Sequence, residues 1–307
     1  MQRKQLDMGA DRLEYMAQGR GITITAYHGS SPVVYLPEEI EHRQVTCLAK
    51  KAFLGQKQLR RIILPKTVER LEDWAFANCD SLEEITLSHN CTEYGKGVFQ
   101  GCKALKRILT EGGNSKFSKE EKEQIGTLLA ATVNVLDATH LFSLKEAGSK
   151  KWLQQWDYKL LQYLRREDKQ GFTVVVLCGE EDYGSDENSL TYFLRQKRQA
   201  KVRLCFLRLL NPLGMEKDTE KELKDYLQSH SKGCDSEETW QVVFHEHGNE
   251  RIYYQMMMDC NCINSENLQG FLSDLGDNYS EMKSFLLQYK QEKLGVEDFF
   301  QTLSFDL

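Results

Sequence analysis

Histidine and cysteine at close spacing come nearest to a chemical motif in this chain of 307 residues. His245-x-His247 precedes Cys260-x-Cys262, and together they carry the nitrogen and thiolate donors that zinc takes. The spacing fits no standard finger, and two histidines at i and i+2 diverge on a helix. A helix-end histidine pair with packed cysteines explains the same residues without an ion, so neither a metal site nor a cofactor is assigned. Cys178, before Gly179, has a nucleophile's sulfur, yet no motif places a histidine to activate it. The acidic run Glu180, Glu181, Asp182 would hold a metal or cofactor at a strand end of an open α/β sheet. No Gly-x-Ser-x-Gly, Walker loop, dinucleotide glycine cluster or His-Glu-x-x-His occurs. The chain reads as no enzyme, and Met256 to Met258 read as core filler.

What these residues can do depends on the elements beneath them. Of the four prolines, only Pro212 follows Gly112-Gly113, so long helices are allowed there. Four capping boxes recur, Ser118 with Glu121, Thr219 with Glu222, Asp235 with Glu238 and Asn278 with Glu281. Apolar stripes at helical spacing follow them: Trp152, Trp156, Leu160, Leu161 and Leu164; Leu223, Tyr226 and Leu227; Leu268, Phe271, Leu272 and Leu275; Met282, Phe285, Leu286 and Tyr289. Short connections favour antiparallel neighbours. Residues 114–307 are therefore predicted to form a mostly α-helical domain of helical hairpins. One stretch is ambiguous. Phe172 to Cys178 is β-branched and apolar, and Val202 to Leu210 would be a second strand, with a helix over Ser189 to Ala200 between them. That β-α-β unit near residues 172–210 would put the acidic run at a strand end and favour a metal-binding or enzymatic domain. Against it, Arg195 to Leu210 has no Gly or Pro break and is rich in helix formers, which favours one continuous helix and a solvated acidic loop.

The first half is organised by repetition. Three copies of one pattern, 23 residues apart, run from Val45 to Thr110. Val45, Val68 and Cys91 open them. Leu48, Leu71 and Tyr94 come second, then Phe53, Phe76 and Phe99, then Leu59, Leu82 and Leu105, then Ile62, Ile85 and Ile108. Leu64, Leu87 and Thr110 close them. That period is one coil of a solenoid. Ile62 and Leu64 lie two apart and face one side of a strand, while Arg61, Ile63 and Pro65 face the other. Stacked coils make a parallel ribbon, and no coil hides its apolar face alone. The phenylalanines are predicted to form an aromatic ladder.

The outward columns carry the candidate binding residues. Arg61, Glu84 and Arg107 alternate in charge, as do Arg60, Glu83 and Lys106 beside them. A self-satisfied charge ladder is one reading, worth about 0.2–1 kcal/mol per pair. A partner-binding face is the other. It rests on Ile63, Thr86 and Leu109, whose two apolar members are out of place on a solvated sheet face. Arg61, Ile63, Glu84, Thr86, Arg107 and Leu109 are accordingly the candidate partner-binding set.

Leu59 to Pro65, then Val68, Leu71, Ala75, Phe76 and Cys79, then Val98, Phe99 and Cys102, resemble the BspA-like (Treponema-type) leucine-rich repeats. Ile22 to Tyr27, Gly29, Val33 to Pro37, and Val45 and Thr46 resemble the family's lead-in strands. The resemblance covers about residues 20–112. Gln56 stands where the family has Cys, Ser88 where it has the strand-end Pro, and Thr110 where it has Leu. The resemblance implies the coil and a bacterial source; members are often surface adhesion or host-interaction proteins.

Composition bounds the rest. Residues 1–113 carry 16 Lys and Arg against 14 Asp and Glu, and the remainder 24 against 32. Neither half is basic enough for nucleic acid, nor is there an aromatic-basic stripe for stacking bases. No apolar run spans a membrane and no Lys-rich amphipathic stretch lies on one. The start is polar, without an apolar signal core, and the nine cysteines follow no disulfide framework, so a reducing cytoplasm is expected. The expected organisation is α+β: a polar segment over 1–20, a short leucine-rich-repeat solenoid with a parallel β ribbon over 21–113, and the helical domain over 114–307. The expected function is non-enzymatic protein–protein interaction.

Overall fold

The computed structural model describes residues 3–19, 21–112, 116–136, 138–172 and 190–293. Strands β1 (Lys4–Met8), β2 (Asp11–Gln18) and β3 (Gly21–His28) form an antiparallel meander. The polar segment expected over 1–20 thus contains two paired strands. Leu13 and Tyr15 are buried on alternate positions of β2, between polar residues that carry the composition.

Then the coils begin. Strands β4 (Val33–Tyr35), β7 (Arg61–Ile63), β9 (Glu84–Ser88) and β11 (Arg107–Glu111) form a four-stranded parallel ribbon. Strands β6 (Arg43–Leu48), β8 (Arg70–Leu71) and β10 (Glu93–Tyr94) continue the meander's sheet as parallel rungs beyond β3, and β5 (Glu39–Ile40) pairs with β6. The predicted 23-residue register holds: Arg61 pairs with Glu84 and Glu84 with Arg107. Leu59, Leu82 and Leu105 are buried, as are Ile62, Ile85 and Ile108.

The aromatic ladder is longer than the repeat. Phe53, Phe76 and Phe99 stack at 5.2 and 5.9 Å between centroids. Tyr27 of β3 extends it at 5.0 Å, and Phe142 closes it edge-on at 5.9 Å. Beside it runs a column of donors to main-chain carbonyls one coil earlier. Cys79 donates to the Phe53 carbonyl at 3.0 Å and Cys102 to the Phe76 carbonyl at 3.1 Å. Gln56, which replaces the family's Cys, donates through Nε2 to the Tyr27 carbonyl at 3.2 Å. The substitution therefore keeps the bond. Gln56→Cys is expected to change the unfolding free energy by less than about 1 kcal/mol. Gln56→Ala, which orphans the carbonyl, is expected to cost about 1–2 kcal/mol in urea unfolding.

Helix α1 (Lys119–Asn134) caps the ribbon edge at β11. Its capping box is formed as the sequence predicts: the Glu121 N–H donates to Ser118 Oγ at 3.1 Å, and the Ser118 N–H to Glu121 Oε2 at 2.7 Å. Gly126 permits the approach, since a Cβ there would lie 3.0 Å from the Ile108 carbonyl oxygen and 3.0 Å from Leu109 Cδ2. Asn134 donates to the Cys102 and Leu105 carbonyls, both at 3.2 Å. Helix α2 (Lys150–Leu164) comes after a short 3-10 turn at Thr139–Leu141. Its two buried tryptophans satisfy their N–H groups: Trp152 donates to the Leu141 carbonyl at 2.8 Å, Trp156 to Thr132 Oγ1 at 3.1 Å.

The chain divides into two compact units, Met1–Leu160 with Asn211–Met215, and Leu161–Leu210 with Glu216–Leu307. The glycine pair read as a boundary at 113 does not separate them, because α1 is the cap that the last coil requires. In the second unit α3 (Leu190–Leu210) packs against α4 (Lys217–Ser229) and α5 (Glu238–Glu246). Helices α6 (Arg251–Asp259), α7 (Leu268–Leu275) and α8 (Ser280–Lys293) complete its described elements. Trp240 centres this unit, edge-on to Phe271 at 4.7 Å, with its N–H on Asp274 at 2.7 Å.

Three helix starts differ from those the capping boxes predict; α8 starts at Ser280 with the Tyr279 carbonyl taking its first bond, so Asn278 lies one residue too early to cap it. Thr219 lies inside the first turn of α4, whose N-cap is Glu216, and Glu222 pairs with Arg165 instead. Helix α5 starts at Glu238 with Glu237 as N-cap, so Asp235 and Glu238 form no box. In α4 and α5 the glutamate has a different role; Glu238, for one, is buried beside Arg198 at 3.7 Å. The second strand of the β-α-β alternative is also corrected: Val202 to Leu210 belongs to the single helix α3, as its unbroken run of helix formers favours. Residues 173–178 of the first strand, Cys178 and the acidic run all lie outside the described residues.

Candidate functional site

The outward face of the ribbon is ordered by its register. One row reads Val33, Arg61, Glu84, Arg107; the next reads Tyr35, Ile63, Thr86, Leu109. All six candidate residues therefore share one face in two adjacent rows. Parallel pairing at a fixed period makes this unavoidable, because side chains at i and i+2 stay on one side.

The charged row is internally paired. Glu84 is 8% exposed, and its two oxygens divide between neighbours: Arg61 Nε at 3.0 Å on Oε1 and Arg107 Nε at 2.8 Å on Oε2. Each guanidinium keeps part of its surface in water. The row is thus a satisfied ladder that still presents positive charge on either side of a covered carboxylate.

The second row differs along its length. Thr86 is buried at 7% exposure. Leu109 is half-buried, with its Cδ2 beside Gly126 of α1. Ile63 is half-buried, and beyond it Tyr35 stands 68% exposed with Val33 41% exposed next to it. So α1 covers one end of the apolar row, while its opposite end, at β4, remains open. Sequence reasoning missed Val33 and Tyr35. They belong to the same rows, but β4 precedes β7 by 28 residues, outside the 23-residue period. The signal was present in the lead-in strand Val33 to Pro37, but no spacing fixes the register of that strand against the repeat.

The metal donors are dispersed into packing. His247 stacks on Tyr253 at 3.6 Å and bonds Glu250 through Nδ1 at 2.8 Å. His245 meets Phe244 edge-on. Cys260 and Cys262 are buried just past α6, and Met257 and Met258 are buried core. Among the described residues no group of three or more His, Cys, Asp or Glu is arranged to hold a metal ion. The eight described cysteines are free, and seven are buried. The hydrogen bond with Cys79, together with burial, holds the Cys102 thiol well above the ordinary thiol range, so it serves as a donor and not as a nucleophile. Among the described residues no helix is long and apolar enough to cross a membrane.

This coil, with its Phe ladder, thiol column and parallel ribbon, defines a leucine-rich-repeat solenoid. Its type is also plain: residues 37–128 match the BspA type Leucine rich repeat region in six copies. No family is matched by the second half, and no curated protein matches this chain. Among solved structures, a leucine-rich repeat protein of T. pallidum matches at 31% identity over 34% of this chain and 50% of its own, with a TM-score of 0.32. One from Bacteroides ovatus matches at 24% identity over 34% of this chain and 29% of its own, with a TM-score of 0.31. The pneumococcal vaccine antigen PcpA matches at 16% identity, covering 36% of this chain and 38% of its own, with a TM-score of 0.22. The chain spans half the length of the first of these and under a third of the second.

Proposed function

We propose that this protein is a non-enzymatic interaction module, and that a protein partner docks on the ribbon face at its β4 end. The observation that carries this reading is the open apolar row, Tyr35 beside Ile63 with Val33 adjacent, bordered by the Arg61 guanidinium. Apolar area next to a paired but hydrated charge is the anatomy of an interface core with a polar rim. Tyrosine and arginine are the residue types that most often dominate binding energy. Buried free thiols support a reducing compartment for this encounter, which is the cytoplasm in our reading.

The six-residue face is narrowed by its surroundings. Leu109 touches α1, so a charge there would disturb the cap as well as the face. The discriminating variant is Tyr35→Glu with Ile63→Glu. Both residues stand clear of the cap, and the double variant is expected to keep the far-UV spectrum of the parent. Partners cross-linked to the parent face, with Tyr35 and Ile63 in the mapped footprint, are expected to be lost, each anchor contributing about 2 kcal/mol or more. If the double variant retains every partner at unchanged affinity, the face is idle and the charge ladder is purely structural.

A further inference from the structure

The coils stop at residue 112, but the hydrogen-bond ladder between them is left open on one limb. On the return limb of each coil, three backbone N–H groups point along the stack to carbonyls of the following coil. Lys51, Phe53 and Gly55 donate to Asp73, Ala75 and Ala77 at 3.0, 2.8 and 2.8 Å. Trp74, Phe76 and Asn78 donate to Lys96, Val98 and Gln100 at 2.9, 2.9 and 2.7 Å. The equivalent donors of the last coil are Gly97, Phe99 and Gly101. Among the described residues, no acceptor meets these three N–H groups.

The last coil nonetheless keeps the backbone shape of its predecessors. Gly97 has φ +58°, as Trp74 has +55° and Lys51 +63°; Gly101 has φ +77°, as Asn78 has +58° and Gly55 +69°. The donors are therefore held in the geometry that binds a following coil. Helix α1 covers the ribbon side of this coil through Gly126 and Asn134. The return limb instead borders an open cleft of about 1020 Å³, whose far wall includes Thr139, His140 and Phe142. Glycine at both ends of the donor row removes the side chains that would hinder an approaching backbone.

We infer that this cleft binds a peptide segment of a different protein, main chain to main chain, folded as the return limb of a further coil. The preceding coils define its chemistry. It offers carbonyls at i, i+2 and i+4, the spacing of Asp73, Ala75, Ala77 and of Lys96, Val98, Gln100. This is backbone docking in the ladder's own period, and the segment takes the left-handed residues of the limb it replaces, as at Trp74 and Asn78. Side-chain selectivity comes from Phe142. In each coil a phenylalanine sits between the second and third carbonyl and extends the aromatic ladder, but Phe142 already occupies that place over Phe99. The captured segment therefore carries a small residue at i+3. This surface is separate from the ribbon face and does not depend on it.

The probe is a synthetic peptide with the sequence of residues 94–101 carrying Phe99→Ala, titrated into the full chain and followed by calorimetry and amide hydrogen exchange. The expected result is saturable binding, with exchange at Gly97, Phe99 and Gly101 slowed about tenfold or more. The Gln100 amide, which already donates to the Gly97 carbonyl at 3.0 Å, is expected to change little. The parent peptide, with its phenylalanine, is expected to bind about tenfold more weakly, and Phe142→Ala in the protein to reverse that preference. His140→Trp, an exposed position on the far wall, is expected to abolish protection without altering the coil; it decides the matter if Phe142→Ala fails to fold. Absence of saturable binding at about 1 mM peptide, or binding that leaves the three amides unprotected or survives His140→Trp, overturns the inference. So does finding them protected in a free chain that sediments as a dimer, since a second copy would then be the occupant.

Discussion

Phe76→Ala is expected to lower the unfolding free energy by about 3–5 kcal/mol, a large share of the about 5–15 kcal/mol typical of a folded domain. Phe76 is fully buried and lies inside the ladder, with a ring stacked on either side at 5.2 and 5.9 Å. Its removal opens a cavity that neighbouring coils cannot close, because their backbones are pinned by coil-to-coil bonds such as Phe53 to Ala75 and Phe76 to Val98. Stability in a stack is shared between neighbours, so the loss weakens two interfaces at once. Phe76→Leu keeps much of the volume and is expected to cost about 1–2 kcal/mol. Urea unfolding of both variants checks this. A cost under about 1 kcal/mol for the alanine variant would mean the ladder contributes no packing.

A similar cost, about 3–5 kcal/mol, is expected of Asp168→Asn in the second unit. Lys201 is 4% exposed, and its ammonium donates to Asp168 Oδ1 at 2.7 Å and to the Arg166 carbonyl at 2.6 Å. Arg198 Nε donates to Asp168 Oδ2 at 2.8 Å. The variant would leave two cations facing a neutral amide, one of them buried. Burial alone would raise the Asp168 carboxyl, but hydrogen bonds from Lys201 and Arg198 outweigh it and hold the group below its ordinary value of 3.8. A carboxyl depressed in the folded state contributes fully above 3.8, and its contribution is lost as pH falls through the folded value. The parent is therefore expected to lose stability on acidification below that point, and Asp168→Asn to lack this component. Urea midpoints measured from about pH 7 to about pH 3 test it. If parent and variant show parallel acid profiles, the carboxylate is not the coupled group.

The residues differ in how legible they were. The coil was plain because each of its positions repeats: a buried Leu59 implies a buried Leu82 once the period is known, and the same step fixes Arg61 against Glu84. Gln56 was visible as a departure, but its role as a carbonyl donor emerged only when the Tyr27 carbonyl was seen beside it. Tyr35 was missed because β4 joins the ribbon across a longer connection, so no period connected it to Ile63. In the second half, Thr219-x-x-Glu222 had the letters of a cap, yet α4 begins earlier and Glu222 pairs with Arg165. Short polar signals lose to tertiary partners in this way, whereas α3, twenty-one residues without a breaker, kept its helical preference over the β-branched appeal of Val202.

By itself the sequence determined the period, the parallel register, the buried ladder and the helical character of the second half. These depend on which residues share a face of a strand or helix, and spacing alone decides that. Only the tertiary structure decided where the stack is closed and where it stays open. A helix end, a glycine that admits it and an asparagine reaching two carbonyls come from distant parts of the chain, and hydrogen bonds between such parts leave no spacing to read. The same reason hid the open end: Gly97, Phe99 and Gly101 hold the register positions of the earlier donors, and among the described residues only the missing acceptor marks the row as open.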